Sequence, residues 1–157
     1  MTRIYGRALS NERVYDYVKD IRFKRQSIIS TIRLNGEKVP LVFNNTLTSD
    51  LFEKYVIDML LPTLNKGDIL VLDNCSSHKR KSVVEKLNSN GIEVLWLPPY
   101  SPDYNPIELL WSKIKTYLRK VKADTLEKLD KAVNEAFSTI TNVDIFNWFK
   151  HDGYITT

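Results

Sequence analysis

Residues 68–97 read DILVLDNCSSHKRKSVVEKLNSNGIEVLWL. Two short apolar runs, DILVLD and IEVLWL, enclose a polar segment that predicts a helix around residues 82–89, ended by Asn90-Gly91. Continuous apolar runs of this length are typical of strands buried on both faces of a sheet. The order strand, helix, strand therefore predicts a right-handed parallel crossover and an α/β fold.

Upstream of this unit, the sequence predicts a hairpin and a helix. Residues 26–34 (QSIISTIRL) are rich in β-branched side chains, Asn35-Gly36 gives a tight-turn signal, and residues 39–43 return as a second strand. Thr48 is a residue type favoured at a helix N-cap, with Asp50 in the first turn. The helix that follows closes at residues 65–67 and has an apolar face of Leu51, Phe52, Tyr55, Val56, Met59 and Leu60.

Downstream, the proline-rich residues 98–102 break regular structure. We expect Asn105 to cap a helix that begins at Pro106, the favoured place for proline, with an apolar stripe of Ile107, Leu110, Trp111, Ile114 and Leu118. A last helix is predicted from Thr125 to Ile140, with inward residues Leu126, Leu129, Val133, Ala136 and Phe137. We expect these elements to form one α/β domain over residues 1–157.

Composition limits the class of protein. A hydrophobic fraction of 43% and an aromatic fraction of 11% suit a globular chain and argue against disorder. The net charge of +4 leans toward anionic partners, although ordinary basic proteins share it. Cys75 is the single cysteine, so no internal disulfide forms and no second cysteine completes a zinc motif with His78 and His151. Without a signal-peptide core or an apolar run of about 20 residues, we expect a cytoplasmic protein with no membrane partner.

Two acidic residues stand where α/β proteins place their chemistry. Asp73 ends a predicted parallel strand, and ligands gather at the carboxyl ends of such strands. Glu108 opens the helix after the proline-rich loop. Both residues also have a structural interpretation. Asp and Asn favour turns, so Asp73-Asn74 could simply form one. Glu108 stands three residues after Asn105, at the position where a capping box has Glu. On spacing alone, the structural interpretation is the stronger one.

The residues around these carboxylates carry a family resemblance. VLDNCSSH at residues 71–78 and LPPYSPDYNPIE at residues 97–108 are followed by Trp111, Lys115 and Arg119. This text closely resembles the DDE transposases of the mariner superfamily, especially their bacterial insertion-sequence branch, and the resemblance covers most of residues 1–120. Tyr5-Gly6-Arg7-Ala8 is similar to the loop after the family's first sheet strand.

The resemblance implies an RNase H-like fold, a mixed sheet flanked by helices, and metal-dependent DNA strand cleavage and transfer. Asp73 and Glu108 would be the catalytic residues and would bind Mg²⁺ or Mn²⁺ in a two-metal site. Asn74 and His78 would support that site. Hard oxygen ligands are what such ions need, so the lone Cys75 does not fit this ligand set.

The family's third carboxylate lies on the first, central strand, upstream of the Tyr5-Gly6-Arg7-Ala8 loop. That loop stands at the start of this sequence, so the resemblance predicts a domain incomplete at its N-terminus, an incomplete metal site and a chain that is inactive alone. Asp16 and Asp20 are interpreted as surface acids. Loss of the strand is expected to leave unpaired backbone groups, each costing about 1–3 kcal/mol if buried, and open sheet edges.

The implied partner is DNA, both transposon ends and target. The residues predicted to contact DNA lie near the two carboxylates in the sequence. They are Lys79, Arg80, Tyr100, Tyr104, Lys115 and Arg119. For the basic residues, the alternative is a solvated helix face. A homodimer, or association with an intact or upstream-encoded transposase part, is also expected. Two other functions stay open: a non-catalytic DNA-binding remnant or regulator, and a host nuclease of the same fold, which the proline-rich loop disfavours.

Overall fold

The computed structural model describes residues 7–9, 12–15 and 26–155, so Asp16, Asp20 and Tyr5-Gly6 lie outside the described residues. The strands are β1 (Gln26–Ile29), β2 (Leu41–Asn44), β3 (Ile69–Leu72) and β4 (Glu93–Trp96). The helices are α1 (Ser49–Lys54), α2 (Lys81–Ser89), α3 (Ile107–Val121), α4 (Leu126–Ser138) and α5 (Asn142–His151). Helix α1 continues directly into a π turn, Tyr55–Leu60, and a 3₁₀ turn, Leu61–Thr63. The predicted α/β class is confirmed.

Strands β1 and β2 form the predicted antiparallel hairpin. Gln26 stands opposite Asn44 and Ile29 opposite Leu41. Gly36 turns the chain with a φ of 93°, a backbone conformation that side-chain-bearing residues rarely adopt. The ladder is shorter than the apolar run predicted, because beyond Ile29 only one bridge, Ile32 with Lys38, continues it.

The hairpin lies between two apolar cores, because successive side chains of a strand point to opposite faces. Ile29 and Leu41, which face each other in the register, pack against a first core built from α1, its π turn, β3, α2 and the start of β4. Ile28 and Val42, the adjacent pair, pack against a second core built from α3, α4 and α5. The two halves of the described structure therefore meet at this hairpin.

Strands β3 and β4 are parallel, as predicted, with Leu72 opposite Trp96. Helix α2 contributes Val83 and Leu87, both 0% exposed, to the core on one face of this pair. On the other face, Ile69 is 58% and Leu95 is 46% exposed. The expectation that these strands are buried on both faces is wrong for the described residues, because helices cover one side of the pair and alternate side chains point away from them.

Among residues 26–155, no strand joins the hairpin to the parallel pair. Side chains connect them instead. Arg33, just after the hairpin's first strand, forms an ion pair with Asp68 before β3 and donates to the Thr63 carbonyl at 2.7 Å. The hydrogen bond from the Asn65 N–H has the largest effect on the pKa of Asp68, and Arg33 has a smaller one. Together they hold that pKa below its usual value. The Tyr55 hydroxyl donates to the Val39 carbonyl at 2.6 Å, and burial raises the pKa of Tyr55 to about 12.

The starts of helices α1 and α4 agree with the sequence predictions, and the start of α3 differs from its prediction. Thr48 caps α1 and Thr125 caps α4, each accepting a backbone N–H at 3.2 Å. The predicted Asn105 cap is wrong: Pro106 occupies the N-cap of α3, and no side chain caps that end. It is the backbone carbonyl of Asn105 that accepts the Glu108 N–H, at 2.9 Å.

Two further features of the helices differ from expectation. Leu126, predicted to point inward, is 38% exposed, because it stands at the first position of α4, ahead of the helix's buried stripe. Helix α5 lies beyond the predicted end of the last helix, and its Trp148 packs against the second core. No helix in the described ranges is both long and apolar enough to cross a membrane.

Helix α5 begins with a capping box formed by Thr141 and Asp144. The Thr141 side chain accepts the Asp144 N–H at 3.2 Å, and the Asp144 carboxylate accepts the Thr141 N–H at 2.8 Å. The same carboxylate lies 2.6 Å from Lys113 of α3. The hydrogen bond from Lys113, more than those from Thr141, lowers the pKa of Asp144 to about 2. Asp144 therefore both starts α5 and joins it to α3.

We expect Asp144→Ala to lower the free energy of unfolding by about 1 kcal/mol, the usual contribution of a helix cap. Because the folded-state pKa of Asp144 is depressed, its contribution is complete above about pH 4 and is lost as the pH falls toward 2. Urea unfolding from pH 2 to pH 6 measures this, and the variant should lack that part of the pH dependence. The exposed Asp58 of the π turn provides the control Asp58→Ala, and an equal loss there would contradict the assignment.

Candidate functional site

The candidate site lies at the carboxyl end of the parallel strands. Asp73 follows β3 and Leu97 follows β4, so both loops leave the same edge of the pair. The Leu97 N–H continues the ladder onto the Leu72 carbonyl at 2.8 Å. The Asn74 side-chain amide donates to the Leu97 carbonyl. Asn74 thus holds the loop after β3 beside the proline-rich loop.

A cleft of about 530 Å³ opens between these two loops and the start of α3. From the sequence predictions, it brings together Asp73, Asn74, Lys79, Tyr100 and Glu108. Cys75, Leu97, Pro98, Pro99, Ser101, Pro102 and Asn105 complete the lining. The two predicted catalytic carboxylates therefore border one cavity.

Asp73 is engaged on one side and open on the other. Its Oδ1 accepts the Cys75 N–H at 3.0 Å and lies 2.6 Å from Nδ1 of His78. The hydrogen bond from the Cys75 N–H is the turn-forming contact that the structural interpretation of Asp73 predicts. The side chain nevertheless remains 50% exposed beside the cleft, so these contacts leave much of the carboxylate accessible.

His78 supports Asp73 from the protein side. The 3₁₀ turn Ser76–His78 carries it, and its side chain is only 16% exposed. The imidazole lies against the ring of Phe52, with centroids 4.4 Å apart and planes tilted by 34°. Since Phe52 is 2% exposed, the first core fixes the ring that contacts Asp73.

Glu108 is presented to the cleft by the packing of α3. Leu110 and Ile114, 0% and 3% exposed, bury the opposite side of the helix, and Glu108 itself is exposed. The capping-box interpretation of Glu108 is wrong, because α3 has no side-chain cap. The Glu108 side chain therefore accepts no hydrogen bond at the start of the helix, although its N–H donates to the Asn105 carbonyl.

The residues predicted to contact DNA fall into different surroundings. Tyr100 is fully exposed at the cleft, with a left-handed φ of 56° that is uncommon outside glycine. Tyr104 is 58% exposed in the neighbouring 3₁₀ turn, Pro102–Tyr104. On α3, Lys115 is exposed and Arg119 half-buried, and neither borders the cleft.

Arg80 faces α1. It forms ion pairs with Asp50 and, at 3.2 Å, with Glu53. The hydrogen bond between Arg80 and Asp50 lowers the pKa of Asp50 and raises that of Arg80. Arg80 therefore joins the start of α2 to α1, whereas its neighbour Lys79 borders the cleft.

Tyr154 supports the cleft and has no local signal in the sequence. Its hydroxyl donates to the Tyr104 carbonyl at 2.8 Å, across 50 residues of chain. Its ring meets Phe149 of α5 edge-on at 5.6 Å, and burial raises the pKa of the hydroxyl. The chain segment after α5 therefore holds the loop that precedes Glu108.

We expect Tyr154→Phe to loosen this loop, because the Tyr104 carbonyl loses its donor. A hydrogen bond contributing about 1 kcal/mol corresponds to roughly fivefold faster amide exchange in residues 101–105. Hydrogen–deuterium exchange measures the rate. Tyr104→Phe is the matched control, since only the backbone of Tyr104 takes part; equal acceleration in both variants would contradict the role of Tyr154.

Comparison with known proteins gives a family-model match over residues 1–130, described as DDE superfamily endonuclease. The Transposable element Tcb2 transposase of Caenorhabditis briggsae is 25% identical over 95 residues, 60% of this chain and 35% of that protein. The Histone-lysine N-methyltransferase SETMAR of Homo sapiens is 38% identical over 69 residues, 39% of this chain and 10% of that protein. The chain thus spans about a third and a tenth of these relatives.

Solved structures show a similar fold. The Mos1 transposase paired-end complex with left transposon end aligns with a TM-score of 0.77 and 19% identity, over 95% of this chain and 47% of that chain. The catalytic domain of Mos1 mariner transposase aligns with a TM-score of 0.61 and 18% identity, over 81% of this chain and 74% of that chain. These likenesses confirm the RNase H-like α/β fold, here with two separate strand pairs in the described residues.

Proposed function

Because the chain belongs to the DDE superfamily of endonucleases, we propose that it forms the metal-binding part of a DNA transposase core. One observation carries the proposal: Asp73 and Glu108, 35 positions apart in the chain, border the same cleft. The Tcb2 and Mos1 relatives, named as transposases, indicate the reaction class. The reaction is metal-dependent cleavage and transfer of DNA strands at transposon ends and target.

The ligand atoms at the cleft suit Mg²⁺ or Mn²⁺. Asp73 and Glu108 are both exposed where they border it, and carboxylate oxygens are the ligands these hard ions prefer. When bound, such ions activate a water or a 3′-hydroxyl and stabilise the leaving oxygen. Two relatives were solved with these metals, a Mos1 paired-end complex with Mn and the Mos1 catalytic domain with Mg.

The surrounding residues position the carboxylates and the DNA. Asn74 keeps the two loops together through the Leu97 carbonyl, and His78 orients Asp73. Lys79 places a positive charge beside the carboxylates, where it attracts a phosphate. Tyr100 offers a fully exposed ring on which a base can stack.

The site needs a further carboxylate. Among the described residues lining the cleft, two carry one, whereas the family resemblance calls for three. We therefore propose that this chain alone does not cleave DNA, and that an intact or upstream-encoded transposase part, or a second copy in a homodimer, completes the site. A cytoplasmic location and the bacterial insertion-sequence branch also belong to this proposal.

Mn²⁺ titration tests the proposed metal site. We expect Asp73→Asn and Glu108→Gln each to weaken binding about tenfold or more, because each removes a charged oxygen ligand. Electron paramagnetic resonance of free Mn²⁺ measures the affinity. Asp103→Asn is the matched control, since Asp103 lies in the same loop but does not line the cleft. Unchanged binding in either site variant would refute the shared metal site.

The second candidate is a non-catalytic DNA-binding regulator. It is favoured by the presence of only two carboxylates among the described residues that line the cleft, by Lys79 beside them and by the exposed Lys115 on α3. DNA binding without Mn²⁺ binding at Asp73 and Glu108 would support this candidate over the first. Mn²⁺ binding at both residues would favour the first.

Both candidates predict sequence-independent DNA binding that weakens with salt. We expect Lys79→Ala and Lys115→Ala each to reduce the slope of log affinity against log salt by about 0.9, the contribution of one phosphate contact to duplex DNA. Fluorescence anisotropy from 50 to 200 mM salt, roughly the range over which such contacts weaken, measures it. Lys131→Ala, on the exposed side of α4, is the control and should leave the slope unchanged. If Lys79→Ala, Lys115→Ala and Lys131→Ala all have the same salt slope, the DNA does not contact Lys79 or Lys115.

A further inference from the structure

Asp73 has a second group of ligand atoms beside it, in the turn that follows β3. One oxygen of Asp73, the Cys75 sulfur and a ring nitrogen of His78 all lie within 4.8 Å of one another. We propose that these three residues form a binding site for a borderline-soft divalent ion, of which Zn²⁺ is the physiological example. This site goes beyond the proposed function and differs from it in ligand chemistry.

The local backbone places these ligands together. In a 3₁₀ turn, side chains three residues apart stand on the same side. Cys75 occupies the position before the 3₁₀ turn that ends at His78, and the His78 N–H donates to the Cys75 carbonyl at 3.0 Å. Asp73 joins them because its carboxylate accepts the Cys75 N–H. The spacing Asp-x-Cys-x-x-His thus gives three ligand atoms in one turn of chain.

A tetrahedral ion fits among these ligand atoms after a small opening of the Asp73–His78 contact. With Zn–S near 2.3 Å and Zn–N and Zn–O near 2.0–2.2 Å, ligand atoms in a tetrahedron lie roughly 3.3–3.8 Å apart. Asp73 and His78 are now 2.6 Å apart, so that pair opens by about 0.7 Å. Cys75 exchanges its contact with the Ser77 hydroxyl, 3.1 Å away, for the ion. Water takes the fourth position.

The ligand types select the ion. Thiolate and imidazole favour zinc and cobalt over Mg²⁺, which prefers oxygen. Binding forms a metal–sulfur bond and releases the Cys75 thiol proton to solvent, so affinity falls as the pH falls. The Phe52 ring packs against the imidazole, so His78 loses less conformational entropy when it binds an ion. An ion at this site also occupies Asp73 and, if the proposed function holds, opposes the binding of Mg²⁺ between Asp73 and Glu108.

Cobalt provides a direct probe, because the chain has one cysteine. We expect CoCl₂, added to the chain with a non-thiol reductant, to produce a thiolate-to-Co²⁺ charge-transfer band in the near ultraviolet at one ion per chain. ZnCl₂ should displace it. Cys75→Ser, a near-isosteric change at an exposed residue, should abolish the band, and His78→Ala should weaken Co²⁺ binding about tenfold or more.

His151→Ala is the matched control. His151 also pairs with a neighbouring carboxylate, Asp152 at 2.7 Å, but no cysteine joins that pair in the described structure. Absence of the band in the parent chain, an equal loss in His151→Ala, or one ion shared by two chains would overturn the proposal. Circular dichroism checks that each variant is folded.

Glu108→Gln separates this site from the proposed function. It should weaken Mn²⁺ binding and leave the Co²⁺ band unchanged, whereas Cys75→Ser should do the reverse. Loss of the band in Glu108→Gln would refute a separate Asp73–Cys75–His78 site. A normal band with no Mn²⁺ binding would refute only the proposed function.

Discussion

The parallel pairing of β3 with β4 is the constraint on which the site depends. Parallel strands end at the same edge, so the loop with Asp73 and the loop leading to Glu108 must start side by side. Two strands of four residues are too small to be stable alone. Their stability comes from the first core, where burying a residue such as Val83 or Leu87 contributes about 1.5–3 kcal/mol. The cleft therefore depends on the packing of the buried face of α2 against the strand pair.

The hairpin is held to this unit mainly by burial. The ion pair of Arg33 with Asp68 is about a quarter exposed on each side and contributes at most about 1 kcal/mol. The Tyr55 hydrogen bond to Val39 contributes a similar amount. Neither replaces the row of backbone bonds that a joining strand would supply. The shared apolar core is thus the main link between the two strand pairs in the described residues.

Local signals in the sequence predicted most of the fold, and non-local contacts account for the failures. Thr48 and the turn at Gly36 depend on neighbouring residues, so the pattern was sufficient. The motifs placed Asp73 and Glu108 at loops that share a cleft. Tyr154 could not be found, because the carbonyl it contacts is distant in the chain. Helix α5 begins with a capping box, Thr141 and Asp144, that is visible in the sequence, whereas the apolar pattern predicts that the last helix ends at Ile140.

Asp73 has more potential partners than one carboxylate can serve at once. Its position after β3 offers it to the cleft, where Glu108 would supply a second hard oxygen ligand in the proposed metal site. The turn that follows offers it to Cys75 and His78, a softer ligand set. Because His78 is fixed against the buried Phe52, the imidazole cannot follow Asp73 far toward the cleft. An ion held by Asp73, Cys75 and His78 would therefore draw the Asp73 carboxylate toward the imidazole, whereas an ion shared with Glu108 would draw it toward that carboxylate.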